Sequence, residues 1–147
     1  MICRRMTKDD IDGVYKIEKI SFADPWSKES IRTELKNPLS NYIVCERDGV
    51  IVGYLGVWFI IDEAHITNVA VDPSHRKAGI GSSLIEKLVE DCKKSNIKSI
   101  TLEVRKSNII AQNLYRKYGF KPGGIRKEYY NDNKEDAIIM WKQVEEV

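Results

Sequence analysis

Apolar residues fall at every fourth position along Ile80, Leu84, Leu88 and Cys92, with Ile85 and Val89 beside them. That spacing keeps one face of a 3.6-residue helix apolar and predicts a helix beginning at Ile80. Just upstream the period changes to two: Val69 and Val71 alternate with smaller or polar neighbours, as in a half-buried strand. Asp72-Pro73 stops that strand, because proline has no N–H and the residue before it avoids the helical region. Between strand and helix runs Ser74-His75-Arg76-Lys77-Ala78-Gly79-Ile80-Gly81-Ser82, with glycines suited to a tight turn or a close approach to a ligand. The first amides of a helix lack internal partners. With Arg76 and Lys77 nearby, this one predicts an anion site suited to a pyrophosphate.

The same two periods organise the rest of the chain. Ile2 to Met6 predicts a first strand, and Thr7-Lys8-Asp9-Asp10 a capping box opening a helix with Ile11, Val14 and Tyr15 on its apolar face. Phe22-Ala23-Asp24-Pro25-Trp26-Ser27 breaks that helix, and Ser27 caps a second carrying Ile31 and Leu35 and stopping before Pro38. Phe22 and Trp26 suit the wall of a binding groove as well as a pin between the two helices. Strands over 41–46 and 50–61 flank the Asp48-Gly49 turn, Asp62-Glu63 marks another turn, and 64–71 feeds the glycine loop. Asn96 stops the long helix, so 99–104 is a strand reached by a helical crossover and parallel to the one before the loop. Ser107-Asn108 caps a helix with Ala111, Leu114, Tyr115 and Tyr118, ending at Gly119. Residues 120–130 and 137–142 close the chain as a hairpin around Asn131-Asp132-Asn133. The order β-α-α-β-β-β-α-β-α-β-β predicts an α/β (α+β) fold: a mixed, mostly antiparallel sheet with one parallel βαβ crossover, flanked by helices.

Composition narrows the classes. A chain of 147 residues with 42% hydrophobic and 31% charged residues suits one domain spanning 1–147. A net charge of +2 with both signs interspersed predicts no nucleic-acid partner. Cys3, Cys45 and Cys92 have no C-x-x-C spacing and only His65 and His75 could assist them, so neither a disulfide framework nor a metal site is expected, and a reducing cytoplasm fits. Residues 1–20 lack the core of an export signal, and the apolar run 50–61 is short and interrupted by Gly53 and Gly56, so no membrane partner is expected.

Two pyrophosphate loops fail on spacing. A P-loop needs Gly-Lys-Ser/Thr, but Ser82-Ser83 follow Gly81, and the third glycine of a dinucleotide fingerprint is replaced by Leu84. What remains, Arg76-x-x-Gly79-x-Gly81 after a strand ending Val-Ala-Val-Asp-Pro, resembles the acetyl-coenzyme A loop of the GNAT acyltransferases. The element order matches that fold across nearly the whole chain. Within it the chain resembles the ribosomal-protein-alanine N-acetyltransferases (RimI type). The residues that carry this are Phe22-x-x-Pro25-Trp26-Ser27, Asn68 to Pro73, Leu102-Glu103-Val104-Arg105-x-Ser107-Asn108, Asn113-Leu114-Tyr115, Tyr118-Gly119-Phe120, Arg126-x-x-Tyr129-Tyr130 and Glu135 to Met140.

The resemblance implies that the backbone of Val69, Ala70 and Val71 holds the pantetheine arm and thioester of acetyl-CoA. It implies that Arg76, Lys77, Ala78, Gly79, Ile80, Gly81 and Ser82 hold the pyrophosphate, with Asn108 also on the cofactor. Glu103 resembles the general base and Tyr115 the general acid. The implied acceptor is a protein N-terminus, the alanine terminus of a small-subunit ribosomal protein, taken by a monomer. A broader set of N-termini, a lysine or a small amine keeps the same chemistry, and a coenzyme A-binding regulator without turnover is a reading from another class. Phe22 and Trp26, facing Tyr129 and Tyr130, are the expected groove walls, with Asp62, Glu63, Glu135 and Asp136 as possible attractants for a basic terminus.

The chemistry fits an α-amine. Its pKa of about 7.7–8.0 leaves roughly a tenth of it free at neutral pH, whereas lysine at about 10.4 starts some 3.4 kcal/mol worse. Glu103 in a strand would gain basicity from partial burial, although it could equally face solvent or pair with Arg105. A phenol near 10 giving its proton to a thiolate near 8.5 is uphill by about 2 kcal/mol, so for Tyr115 a strong hydrogen bond to the developing charge matters more than full transfer. Tyr118 suits a packing aromatic better than Tyr115 does, and both histidines suit structural or surface roles.

Overall fold

The computed structural model describes residues 1–76 and 78–144. Its seven strands are β1 (Ile2–Arg5), β2 (Ile43–Arg47), β3 (Val50–Ile60), β4 (Glu63–Val71), β5 (Ser99–Arg105), β6 (Lys121–Arg126) and β7 (Ala137–Gln143). They form one sheet in the order β1-β2-β3-β4-β5-β7-β6, in which only β4 and β5 run parallel. Four helices, α1 (Ile11–Ser21), α2 (Lys28–Leu35), α3 (Ile80–Lys94) and α4 (Ile109–Lys117), complete the expected element order.

Strand alternation divides the interior in two. Ile43 and Cys45 of β2 join Ile80, Leu84, Ile85 and Leu88 of α3 in one cluster that also takes Tyr115 of α4. Val44, between them, joins Val14 and Ile17 of α1 and Ile31 of α2 in the other. Helices α1 and α2 therefore cover one face and α3 and α4 the opposite one, as the period of two requires. The α3 residues on the fourfold spacing are 0–2% exposed, so each contributes about 1.5–3 kcal/mol of burial. Asp48 (φ 52) and Gly49 (φ 77) adopt the paired left-handed conformations of a tight hairpin turn, and Asn96 (φ 56) ends α3 as expected. The capping box opens a 3-10 turn, Lys8–Asp10, which leads into α1.

Two expectations change. Strand pairing sets Cys3 opposite Cys45, and the two form a disulfide across β1 and β2. Partners 42 positions apart carry no spacing signal, and only the register of the two strands brings them together. Cys92 is a free buried thiol, pushed up to about 12 by desolvation. The closing hairpin is shorter than its sequence pattern: β6 ends at Arg126, which places Tyr129 and Tyr130 in the β6–β7 loop. Both tyrosines join the same core cluster: Tyr115 of α4 is 6% exposed, while Tyr118, at the helix C-cap, is half-buried against it and donates to Glu86 at 2.8 Å.

Candidate active site

Strands β4 and β5 pair over Glu63–His65 against Ser99–Thr101 and then part. The cause lies in β4. Val57 faces Ile66 and Gly56 faces Asn68, leaving Thr67 as an unopposed bulge residue. The extra residue inverts the alternation. Ala64 and Ile66 point to the α3 side before it, Val69 and Val71 pack there after it, and Ala70 turns to the α1 side. From Asn68 to Val71 the β5-facing edge of β4 has no strand beside it among the described residues, while its other edge stays paired with β3. Open N–H and C=O groups on such an edge suit an extended, amide-bearing ligand arm.

The gap leads to the glycine loop. Asp72 Oδ1 accepts the Ser74 N–H at 2.9 Å and starts a 3-10 turn, Pro73–His75. Gly79 follows at φ 74, where an added Cβ would meet nothing within 4 Å, so its requirement is conformational. Gly81 differs: a Cβ there would stand 3.0 Å from Leu114 Cδ2, so it lets α3 pack against α4. The first helical bond of α3 runs from the Ser83 N–H to the Gly79 carbonyl, which leaves the amides of Ile80, Gly81 and Ser82 without partners inside the helix. The Ile80 side chain is buried in the core, so its backbone alone faces the loop. Arg76, Ala78 and Gly79 are exposed, and Lys77 lies outside the described residues.

On the β5 side, Glu103 lies opposite Ile139 of β7, and its side chain is 28% exposed. Its partner is Arg126, whose Nε donates to Oε1 at 3.1 Å. Arg105 is engaged elsewhere. It binds Asp132 at 2.9 and 3.1 Å, reaches Glu135 at 3.4 Å and stacks 3.9 Å from the Tyr130 ring. Glu135 also accepts the Ser107 N–H at 2.6 Å, and Asp136 accepts from the Glu128 N–H at 2.9 Å, so both acids brace the β6–β7 loop. Tyr129 and Tyr130 meet edge to face at 5.1 Å.

Helix α4 sets the remaining side chain. Asn108 caps it by accepting the Ala111 N–H at 3.1 Å, which commits its oxygen and leaves its amide group for other contacts. Gln112, 3% exposed, donates to the Arg105 and Lys106 carbonyls at 3.0 and 2.9 Å and fastens the helix to the end of β5. Nothing in the sequence pattern marked this residue beyond its being a polar group on a buried face. Tyr115 packs on Phe120 with ring centroids 5.6 Å apart. Burial, with a smaller contribution from Tyr130, pushes its phenol up to about 12. Tyr130 is also raised to about 12, chiefly by burial. Arg105 opposes the shift, while Tyr129 and Glu103 add to it. Tyr130 thus couples electrostatically to both Glu103 and Tyr115.

Trp26 packs against the α1–α2 cluster and Phe22 is 38% exposed, so the first pins the helices while the second remains available to a groove. A separate hollow of about 430 Å³ runs along α2 from Trp26 to Glu34 and contains no other residue of the candidate site. His65 sits 3.3 Å from Glu63 and His75 3.9 Å from Asp72. Among the described residues no group of His, Cys, Asp and Glu could hold a metal ion, and no helix is long and apolar enough to cross a membrane.

A mixed sheet parting at its one parallel pair, with a helix N-terminus and glycine loop at the mouth of the gap, defines the framework of an N-acetyltransferase. The chain belongs to the acetyltransferase (GNAT) family, whose model matches residues 11–120. It is 49% identical over 144 residues to a Bacillus subtilis (strain 168) protein that carries, provisionally, the name [ribosomal protein bS18]-alanine N-acetyltransferase, covering 97% of this chain and 95% of that one. The crystal structure of the ribosomal-protein-S18-alanine N-acetyltransferase from Escherichia coli superimposes with a TM-score of 0.90 at 30% identity, covering 99% of this chain and 95% of that chain. A phosphinothricin acetyltransferase from Sinorhizobium meliloti, solved in complex with AcCoA, shares the fold at a TM-score of 0.83 and 18% identity, over 97% of this chain and 88% of that one.

Proposed function

We propose that this enzyme moves acetyl from acetyl-CoA to the α-amine of a protein N-terminus, the alanine terminus of a small-subunit ribosomal protein. The observation that carries the reading is the gap between β4 and β5, with Glu103 on β5 and Tyr115 on the helix that follows it. The names of the relatives, which act on ribosomal protein bS18, support the acceptor class.

Val69, Ala70 and Val71 offer backbone groups to the pantetheine arm. The free amides of Ile80, Gly81 and Ser82, preceded in the chain by Arg76, Lys77, Ala78 and Gly79, offer an anion site to the pyrophosphate, and Asn108 offers its amide. Glu103 takes a proton from the acceptor ammonium, directly or through water. The free amine then attacks the thioester carbon, the new C–N bond forms as the C–S bond breaks, Tyr115 donates a hydrogen bond to the departing sulfur, and the second proton shed by the nitrogen passes through water to the released thiolate. Phe22, Trp26, Tyr129 and Tyr130 wall the acceptor groove. The reaction needs no metal and no acyl-enzyme, and the whole chain serves as one monomeric domain of the cytoplasm, whose reducing poise would hold the paired Cys3 and Cys45 as thiols.

A peptide panel tests the acceptor. Thiol release from acetyl-CoA is expected with a free alanine terminus and is expected to vanish when that terminus is blocked. Equal or faster turnover of a blocked peptide carrying an internal lysine, or of a polyamine, overturns the α-amine reading. No thiol release with any acceptor overturns turnover itself and favours a coenzyme A-binding regulator.

A further inference from the structure

Glu18 is a carboxylate 3% exposed in the middle of the α1–α2 cluster, and the chemistry above does not use it. Burying a carboxylate is costly unless hydrogen bonds replace its water. Here two donors do so. Oε2 accepts the Trp26 N–H at 3.1 Å, and Oε1 accepts the Tyr54 hydroxyl. The first bond closes the eight-residue turn that carries Phe22 and Trp26. The second reaches β3, where Tyr54 pairs with Ala70 of β4. Burial together with the Glu18 contact raises that phenol well above its usual value. Among the described residues no Lys or Arg forms an ion pair with Glu18, so its two oxygens are oriented by these neutral donors.

One side chain therefore links the loop proposed to wall the acceptor groove to the strand register proposed to hold the thioester. We infer that Glu18, with Tyr54, is a positioning residue for the acceptor: it fixes the Phe22–Trp26 wall relative to β4 and acts on substrate only through that loop. This rests on the groove reading above. The alternative, that the pair merely stabilises the α1 face, predicts a loss of stability with no preference between the two substrates.

Steady-state kinetics separate the two. Glu18→Gln keeps the shape but removes the charge: its oxygen can still accept the Trp26 N–H while its NH2 turns the Tyr54 hydroxyl into an acceptor, so both charge-assisted bonds become weaker neutral ones. Its KM for a free-terminus peptide is expected to rise about tenfold, the scale of one hydrogen bond to a charged group, with KM for acetyl-CoA changing less than about twofold. Tyr54→Phe frees only the sheet end and is expected to give a smaller rise of the same kind. It decides the matter if Glu18→Gln does not fold. Trp26→Ala controls for the groove itself: an unchanged peptide KM there refutes the wall rather than the positioning. A raised peptide KM in Trp26→Ala with parental values in a folded Glu18→Gln, or in Tyr54→Phe where that variant alone folds, overturns the inference. So does an equal rise of both substrates' KM in the variant that folds.

Discussion

The buried phenol of Tyr115 gives the proposed mechanism its sharpest test. Its pKa is pushed up to about 12 by desolvation, whereas an ordinary thiol sits near 8.5. Handing over the proton completely is then uphill by some 3.5 units, or about 5 kcal/mol at about 1.36 kcal/mol per unit, against about 2 for an exposed tyrosine. Tyr115 should therefore work as a hydrogen-bond donor to the charge growing on sulfur, a role that costs about 10²–10³ in rate when the donor is removed. Tyr115→Phe retains the ring packed on Phe120, so the fold and the affinity for acetyl-CoA are expected to survive while kcat falls by that factor. The pH profile carries the sign. A raised acid stays protonated below its folded pKa, so Tyr115 should add no alkaline limb to the parent's rate before pH approaches 12. The defect of Tyr115→Phe should be constant from neutral to alkaline pH. Glu103→Gln is the contrast: its defect of about 10²–10⁴ should shrink as pH rises and more amine is already free. An alkaline limb near pH 9 that disappears in Tyr115→Phe would refute the donor argument, and parental kcat in that variant would reduce Tyr115 to packing.

Two further predictions concern the framework. Gly81→Val is expected to destabilise the fold by about 1–3 kcal/mol through overpacking on Leu114, and Leu114→Ala should relieve that loss in a double-mutant cycle; additive losses would show that the contact is not the cause. Asp10, 6% exposed, accepts from both terminal nitrogens of Arg4 and from the Thr7 N–H at 2.8 Å each, and the Arg4 bonds hold its carboxyl below its usual range. That contribution is fully present above the unfolded value near pH 4 and is lost as pH falls through the lower folded value, so Asp10→Asn should cost about 2 kcal/mol at pH 7, or about 6 °C in Tm, with the gap to the parent closing in acid. A gap that widens as pH falls would refute it.

Much of this was legible in the chain because most elements carry a period and a stop signal. Ile80, Leu84, Leu88 and Cys92 specify α3 and its buried face, and Asp72-Pro73 and Asn96 mark its approaches. The bulge at Thr67 was not legible as a gap, although Ile66 and Val69, three apart yet on one face, are its trace. Side-chain partnerships were least accessible. Glu103 meets Arg126 from β6 rather than Arg105 two places along, because successive odd residues of a strand share a face but another strand can come nearer. The disulfide of Cys3 and the anchoring of Glu18 and Gln112 depend in the same way on register and helix docking, which no local window contains. Gly81 was singled out for the close approach of a ligand, and the reason visible in the fold is a different one, its neighbour Leu114.

The two outer strands also govern how the folded molecule behaves in company. β6 presents Lys121, a proline with no N–H, a bulge between Pro122 and Gly124, and then Arg126. At the opposite rim β1 is four residues long and carries Arg4 and Arg5. Each rim offers an incoming chain an interrupted or very short row of donors and acceptors, and one guarded by cations. Native copies at high concentration therefore find no long, unbroken seam at either rim along which to zip together, and aggregation by that route has to wait for a molecule to open. Shelf life should follow the rate of unfolding, with crowding of intact protein a minor influence.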